Sequence, residues 1–390
     1  MEEKQFAPVA ITPCSDYSPQ ACSRAIEDIA AKFPVLQQIS AGTKVAIKVN
    51  LITVMKPEKA ATTHPALLSA LVAYLCTRGA EVVIGDSPGG PYNKAYLETV
   101  YRTAGMTDAV AFGAALNQDF SIKTTEFPEA KAAKEFEYTT YLDKVDLIIN
   151  FCKLKTHGMM TMSCAVKNMF GTVPGLTKPA YHYQYPSYPA FANMLIDLNE
   201  YFHPALNIVD AVIGMEGNGP TAGTPRKIGA VLASESPYTL DLVCAKLIGL
   251  TISDVPTLQA AYERGLAPES ADAVTLIGSA EPYVIPDYQT AVSELEMERF
   301  VNINNKLGDS LNGVARNILA IRPMLNSSKC IGCRKCAALC PAHAIEIKNK
   351  RPKIDRDKCI RCFCCQEFCP EGALVTRRSK LGDMILKKRK

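Results

Sequence analysis

The residues of this 390-residue chain best suited to chemistry are its cysteines, and most of them crowd into one stretch. Nine of the 15 fall between Cys330 and Cys369. They form two runs of identical spacing, Cys330-x-x-Cys333-x-x-Cys336-x-x-x-Cys340-Pro341 and Cys359-x-x-Cys362-x-x-Cys365-x-x-x-Cys369-Pro370. Three thiolates three residues apart on one tight loop can reach three corners of a single iron–sulfur cubane. Disulfides are a poor explanation, because a bridged scaffold spreads its cysteines through a small exported domain. Zinc also uses Cys-x-x-Cys pairs, but two complete runs, each closed by Pro, favour the cluster.

The double run resembles the bacterial two-cluster ferredoxin domain over residues 323–376. That resemblance implies one [4Fe–4S] cluster on Cys330, Cys333, Cys336 and Cys369. It implies a second on Cys359, Cys362, Cys365 and Cys340, since the cysteine before Pro serves the other cluster. Between the runs, Ala344 to Ile354 alternates in polarity and predicts a hairpin turning around Lys348 to Arg351. Cys364 is a spare thiol, expected only to pack. Residues 323–390 carry 17 Lys and Arg against 6 Asp and Glu, whereas the whole chain nets only +4. The front is therefore acidic. The basic excess offsets anionic thiolate-bound clusters, so it does not by itself call for nucleic acid.

Four polar segments in the front part fall where apolar runs end. The first is Lys48-Val49-Asn50. The second, Asp86-Ser87-Pro88-Gly89-Gly90, can bring backbone N–H groups close to an anion at a helix start, although a tight strand-to-helix turn explains it equally well. It fits neither a Walker loop nor the dinucleotide fingerprint. The third runs from Asn150 through Lys153, Lys155 and His157, then Lys167-Asn168 and Gly171. Ligands of open α/β sheets bind beyond the carboxyl ends of strands, so these Lys, Asn and His residues suit a carboxylate or phosphate better than a merely solvated loop. The fourth is Asp210 to Gly223, where Glu216 reads either as metal ligand or general acid/base, or as a loop cap. Tyr181 to Phe191 reads as a packed loop or a lid. His64 reads as a cap-region residue. Cys152 and Cys164 flank the lysines and read as small buried hydrophobes rather than redox groups.

These segments need strands and helices to position them. Lys44 to Leu51, Glu81 to Gly85, Val145 to Phe151, Leu206 to Asp210, Ala230 to Ala233 and Ala273 to Ile277 read as strands. Helices are expected from Thr63-His64-Pro65 to Arg78, up to Gly105, and from Ser236 to Leu250. Alternation of the two predicts an α/β fold, a mainly parallel sheet with helices on both faces, followed by a small α+β ferredoxin-like domain. The expected division is 1–300 for the α/β domain, 301–322 for a connector helix, 323–376 for the iron–sulfur domain and 377–390 for a basic tail. No apolar run reaches the roughly 18–20 residues of a membrane span. Met1 to Phe6 does not resemble a leader, and a cytoplasmic protein is expected.

The strand ending Lys48-x-Asn50, Thr63-His64-Pro65, Gly85-Asp86-Ser87-Pro88-Gly89, Lys153-Leu154-Lys155-Thr156-His157, Ala165-Val166-Lys167-Asn168-x-Phe170-Gly171 and Asp210 with Glu216 to Pro220 together resemble the family called domain of unknown function 362. The likeness covers about residues 40–285 and implies a ferredoxin-linked plan without assigning a reaction. The expected protein is an oxidoreductase relaying electrons from a carrier or redox partner protein to an anionic substrate, or a flavin, in the front domain. Lys48, Asn50, Ser87, Gly89, Gly90, Lys153, Lys155, Lys167 and Asn168 would hold the anion. His157 or Glu216 would move the proton. The alternative is a non-catalytic electron-transfer or assembly protein. A terminal basic tail without a recognition helix argues against specific nucleic-acid binding.

Overall fold

Five strands of the front domain run side by side in one direction. The computed structural model describes residues 5–291 and 318–387. Its strands are β1 Val9–Pro13, β2 Lys44–Lys48, β3 Glu81–Gly85, β4 Ala115–Leu116, β5 Ile122–Glu126, β6 Glu135–Thr139, β7 Leu147–His157, β8 Thr161–Ser163, β9 Leu206–Glu216, β10 Thr224–Ser234 and β11 Leu276–Ile277. The main sheet has the order β11-β1-β10-β9-β7-β2-β3-β4, with β8 hydrogen-bonded to β7. Strands β9, β7, β2, β3 and β4 are mutually parallel, and β10 is the antiparallel member between β1 and β9. The α/β reading with a mainly parallel sheet is correct.

Successive strand residues alternate between two cores, as a sheet covered on both faces requires. Cys152, Leu154, Val209 and Leu232 join a core roofed by helices Tyr188–Phe202, Pro237–Leu247 and Pro256–Glu263. Ile149, Phe151, Ile208 and Val231 join the other, under helices Pro19–Lys32, Pro65–Cys76 and Lys94–Thr103. Local sequence starts these helices. Ser18, His64, Asn93, Ser187 and Ser236 each accept a first-turn N–H, and all but Asn93 have Pro within the next two residues, whose fixed φ suits the first turn.

Three expected strands are longer than their apolar runs, β10 among them, which spans Thr224–Ser234 around Ala230 to Ala233. Strand β7 continues past Phe151 to His157, because β8 pairs one edge at Lys155–Ser163 and β9 the other. Strand β9 likewise runs on to Glu216. Of Ala273 to Ile277, only Leu276–Ile277 is strand, after a short 3₁₀ turn. Strand β1 and the β5–β6 ribbon lie in stretches that sequence left unassigned.

In the C-terminal part, β12 Arg322–Leu325 pairs with β15 Leu374–Arg377, and β13 Ile345–Lys348 with β14 Arg351–Ile354. The last pair is the expected hairpin, with Asn349 and Lys350 both at positive φ in its turn. The expected connector falls mostly on 301–317, outside the described residues. The expected basic tail starts inside the fold: Arg377 ends β15, buried Arg378 donates Nε to the Leu319 carbonyl at 2.8 Å, and Lys380–Lys387 is helical.

Candidate functional site

A cleft opens beyond the carboxyl ends of β2, β3 and β7. At its floor Lys48, the last residue of β2, stands 2.8 Å from Asp86, just after β3. Lys48 Nζ also donates to Asn168 Oδ1 at 3.1 Å and to the Val49 carbonyl at 2.8 Å. Asn168 in turn donates to Asn150 at 2.8 Å and accepts from Asn50 at 2.6 Å. Both partners of the ion pair are buried, so the network of amides and backbone must supply the hydrogen bonds that water would otherwise make. Gly171 closes over the pair, and a Cβ there would overlap Asp86 Oδ1 and Lys48 Nζ.

Three more lysines line the cleft. Lys155 donates to Asn50 Oδ1 and, at 2.5 Å, to the Ala61 carbonyl. Lys178 donates to the Ser87 carbonyl. Burial drives both ammonium groups down to about 7, since a desolvated cation without a partner loses its proton readily. Lys167 is half-buried with its Nζ 5.7 Å from the Phe170 ring. Ser87 Oγ is buried in the lining and has no hydrogen-bond partner among the described residues.

The remaining wall comes from the cysteine-rich domain. His157 Nδ1 accepts from the Met159 and Met160 amides at 3.0 and 3.1 Å, which places its proton on Nε2, 2.7 Å from Glu367 Oε1. Burial lowers His157 to about 4. It also pushes the Glu367 carboxyl up, but Lys167 and His157 outweigh this and hold it below the usual carboxylate range. Phe368 lies against Gly89, where a Cβ would overlap its ring. Beside them Gln366 Nε2 donates to the Asn218 and Gly219 carbonyls at 3.2 Å each, and Phe363 is buried in the front domain's core.

The structure thus brings Lys48, Asn50, Ser87, Gly89, Lys155, His157, Lys167 and Asn168 to one cleft. It does not bring Lys153, Gly90 or Glu216 to that lining. Lys153 is buried in an ion pair with Asp210 at 2.9 Å and donates to Tyr17 Oη at 2.7 Å. The bulge in β7–β9 pairing between Lys153 and Lys155 separates the two neighbours' surroundings. Gly90 packs against Tyr96 and Gly175, and Glu216 accepts the Gln289 amide at 3.1 Å. The cleft residues that sequence reasoning missed are Ile52, Ser163, Lys178, Glu367 and Phe368. Only Lys178, a lysine just ahead of the aromatic stretch, left a local trace; Glu367 and Phe368 were hidden among cluster cysteines. His182 in that stretch stacks on Phe191 at 4.3 Å, so it is packed core. Cys152 and Cys164 stand 3.9 Å apart, fully buried, and burial pushes both thiols up.

Two further cavities hold the cysteine runs. One is lined by Cys330, Cys333, Cys336 and Cys369. The other is lined by Cys340, Cys359, Cys362 and Cys365, with Cys364 beside them. The fourth cysteine of each run therefore faces the other run's cavity. Among the described residues no three His, Cys, Asp or Glu side chains converge on a single ion-sized point. Left-handed residues recur 29 positions apart in the two runs, Gly332 and Arg361, Arg334 and Phe363, His343 and Gly372. Those turns curl each loop inward, and the Ala344 and Ala373 amides donate to Cys340 and Cys369 Sγ at 3.3 and 3.2 Å. Amides aimed at thiolate sulfur are how such loops hold an iron–sulfur cube and tune it, so these residues fit the group.

The fold and these cavities define an α/β protein joined to an iron–sulfur domain of the electron-transfer class. Residues 322–370 match the family described as a 4Fe-4S dicluster domain. Residues 45–246 match the domain of unknown function 362, and the chain belongs to that family. A thylakoid-associated protein of Synechocystis sp. is 28% identical over 264 residues, 64% of this chain and 77% of that protein. Among solved structures, the lactate racemase apoprotein of Thermoanaerobacterium thermosaccharolyticum aligns at 9% identity and a TM-score of 0.41. That alignment covers 64% of this chain and 58% of the racemase. A Thermotoga maritima protein aligns at 10% identity and a TM-score of 0.34, over 56% of each chain. No helix among the described residues is long and apolar enough to cross a membrane.

Proposed function

We propose that the protein is an oxidoreductase in which two [4Fe–4S] clusters exchange electrons with an anionic substrate held in the lysine-lined cleft. The observation that carries this reading is the shared wall. Glu367 and Phe368 line the cleft, and Cys365 and Cys369 on either side line the two cysteine cavities. Phe368 and Cys369 are consecutive, so their Cα atoms are about 3.8 Å apart. When bound, the clusters supply single-electron transfer at potentials set by their surroundings. Lys155, Lys167 and Lys178 would bind and orient the anion, with Ser87 Oγ as a further donor. His157, with its proton on Nε2 and Glu367 facing it, would hold the proton that accompanies reduction. Phe368 and Phe170 would keep water from one side. Nothing among the described residues supports a flavin.

The outer face of the Cys330 cavity suits an electron carrier. Cys333 is exposed, Ile331 is 65% exposed, and Arg334, Lys335 and Lys350 surround them. A small acidic carrier protein matches that ring of charge.

Anaerobically reduced holoprotein, titrated with a panel of small anionic electron acceptors while its visible thiolate-to-iron band is followed, tests the reading. Rapid reoxidation by one acceptor class is expected, slowed at least tenfold in Lys167→Ala. Clusters that respond to a protein carrier but to no small anion would instead support the docking role.

A further inference from the structure

We infer that the cleft takes a small dianion, whose two charges are matched by proton uptake on Lys155 and Lys178. The inference rests on the anion-binding reading above and specifies its chemistry. The cleft lining contains four lysines, Lys48, Lys155, Lys167 and Lys178, but only two carboxylates, Asp86 and Glu367. Both carboxylates are already engaged. Asp86 faces Lys48 at 2.8 Å and accepts the Leu51 amide at 2.8 Å through its other oxygen. Glu367 faces the Nε2–H of His157 at 2.7 Å. With all four lysines charged and His157 neutral, the lining is two positive charges in excess.

That excess falls on buried groups. Lys155 and Lys178 are 1% and 8% exposed, and neither has a carboxylate within ion-pair distance among the described residues. Their partners are neutral oxygens: Asn50 Oδ1 and the Ala61 carbonyl for one, the Ser87 carbonyl for the other. A buried ammonium with no counter-charge costs several kcal/mol, and it relieves that cost either by losing its proton or by gaining an anion. The groups around them act in the same direction. Lys167 repels Lys155, and Lys48 and Lys167 repel Lys178, while Asp86 and Glu367 attract both from farther off. Burial and these charges thus hold both lysines well below the usual ammonium range, at about 7. A dianion restores both protons. Ser87 Oγ, buried in the lining without a partner, is left to donate to the same ligand. A monoanion would satisfy one lysine and leave the other exposed to the same penalty.

Calorimetric titration of the oxidised, anaerobic holoprotein in two buffers of different ionisation heat tests this. Succinate and sulfate are the dianionic probes and acetate the monoanionic one. At pH 8, binding of a dianion should take up between one and two protons per site, falling below about half a proton at pH 6, where both lysines are already charged. At least one dianion should bind about tenfold or more tightly than acetate, and the tighter of the two identifies a tetrahedral or a dicarboxylate group. Lys155→Met and Lys178→Met should each remove about one proton of the uptake without changing the clusters' visible absorption. Dianion binding without proton uptake at pH 8, or acetate binding as tightly as either dianion, overturns the inference and leaves the anion site standing. No binding by any of the three probes, with Lys167→Ala indistinguishable from wild type, overturns the anion reading itself.

Discussion

At the scale of single residues, burial is what turns ordinary side chains into chemical groups. Lys48, Lys155 and Lys178 sit where water cannot solvate an ammonium, and burial lowers all three; among the described residues only Lys48 of the three has a carboxylate, Asp86, at ion-pair distance. His182 follows the same rule. It is buried and stacked on Phe191, and burial lowers it to about 3. Its sign in a stability profile follows directly. Above pH 6.5 neither the folded nor the unfolded state holds the proton, so His182 contributes nothing. Below 6.5 only the unfolded chain takes it up, and stability falls by about 1.4 kcal/mol per pH unit until about pH 3. His182→Phe keeps a ring on Phe191 and removes the titration. Urea unfolding should show the variant losing about 2 kcal/mol less than wild type between pH 7 and pH 5. Equal losses would mean that the ring titrates in the fold as it does in the unfolded chain. The positions of Lys48 and Lys155 were readable in sequence because polar residues following an apolar strand stand out; Lys178 and the burial that alters all three were not.

At the scale of elements, the decisive feature is that β7 does not stop where its apolar run stops. Its polar half is held by β8 on one edge and β9 on the other, so Lys155 and His157 are placed by sheet hydrogen bonds rather than by a loop. A strand positions side chains more rigidly than a connecting segment does. The register also explains why Lys153 and Lys155, two residues apart, serve different networks: β9 runs from Asp210 to Met215 between their pairings, so Lys153 lies opposite Asp210 and Lys155 does not. The short helix Cys364–Glu367 is the second such element, carrying Cys365 of a cysteine cavity on one side and a cleft wall on the other. Its seating depends on Gly89. Gly89→Ala places a methyl into the Phe368 ring, so the variant should show faster hydrogen exchange in residues 363–376. It should also slow reoxidation by the anionic acceptor about tenfold, with direct chemical reduction of the clusters unchanged. Unaltered exchange there would show that the helix seats without this contact.

At the scale of the whole molecule, charge is separated and put to two uses. The acidic front surrounds a cleft with an excess of lysine, while the basic end presents its charge around an exposed cysteine. The first arrangement suits a small anion, the second an acidic carrier approaching from outside. The double variant Arg334→Glu with Lys335→Glu should therefore slow reduction by an acidic carrier about tenfold or more at low salt, with the difference shrinking as ionic strength rises. Reduction by a small neutral dye should not change. A salt-independent defect would point to misfolding of the loop instead of lost attraction.

The division between local and distant information is clear in particular residues. The eight cysteines, the hairpin at Lys348 to Arg351 and the alternation of strands and helices were legible because each depends on spacing within a few residues, which short loops and repeating patterns encode. Lys48, Asn50, Ser87 and Lys155 were legible as a group because strand ends in parallel sheets are where ligands collect. Lys178, Glu367 and Phe368 were not, since what brings them to the cleft is packing across 91 positions for Lys178 and far more for the other two. The same packing assigned Lys153 to Asp210 and Glu216 to a backbone amide, though both carry residue types suited to a site. Local sequence specified which groups this protein owns; burial and long-range contact specified which of them meet, and on which the charge remains.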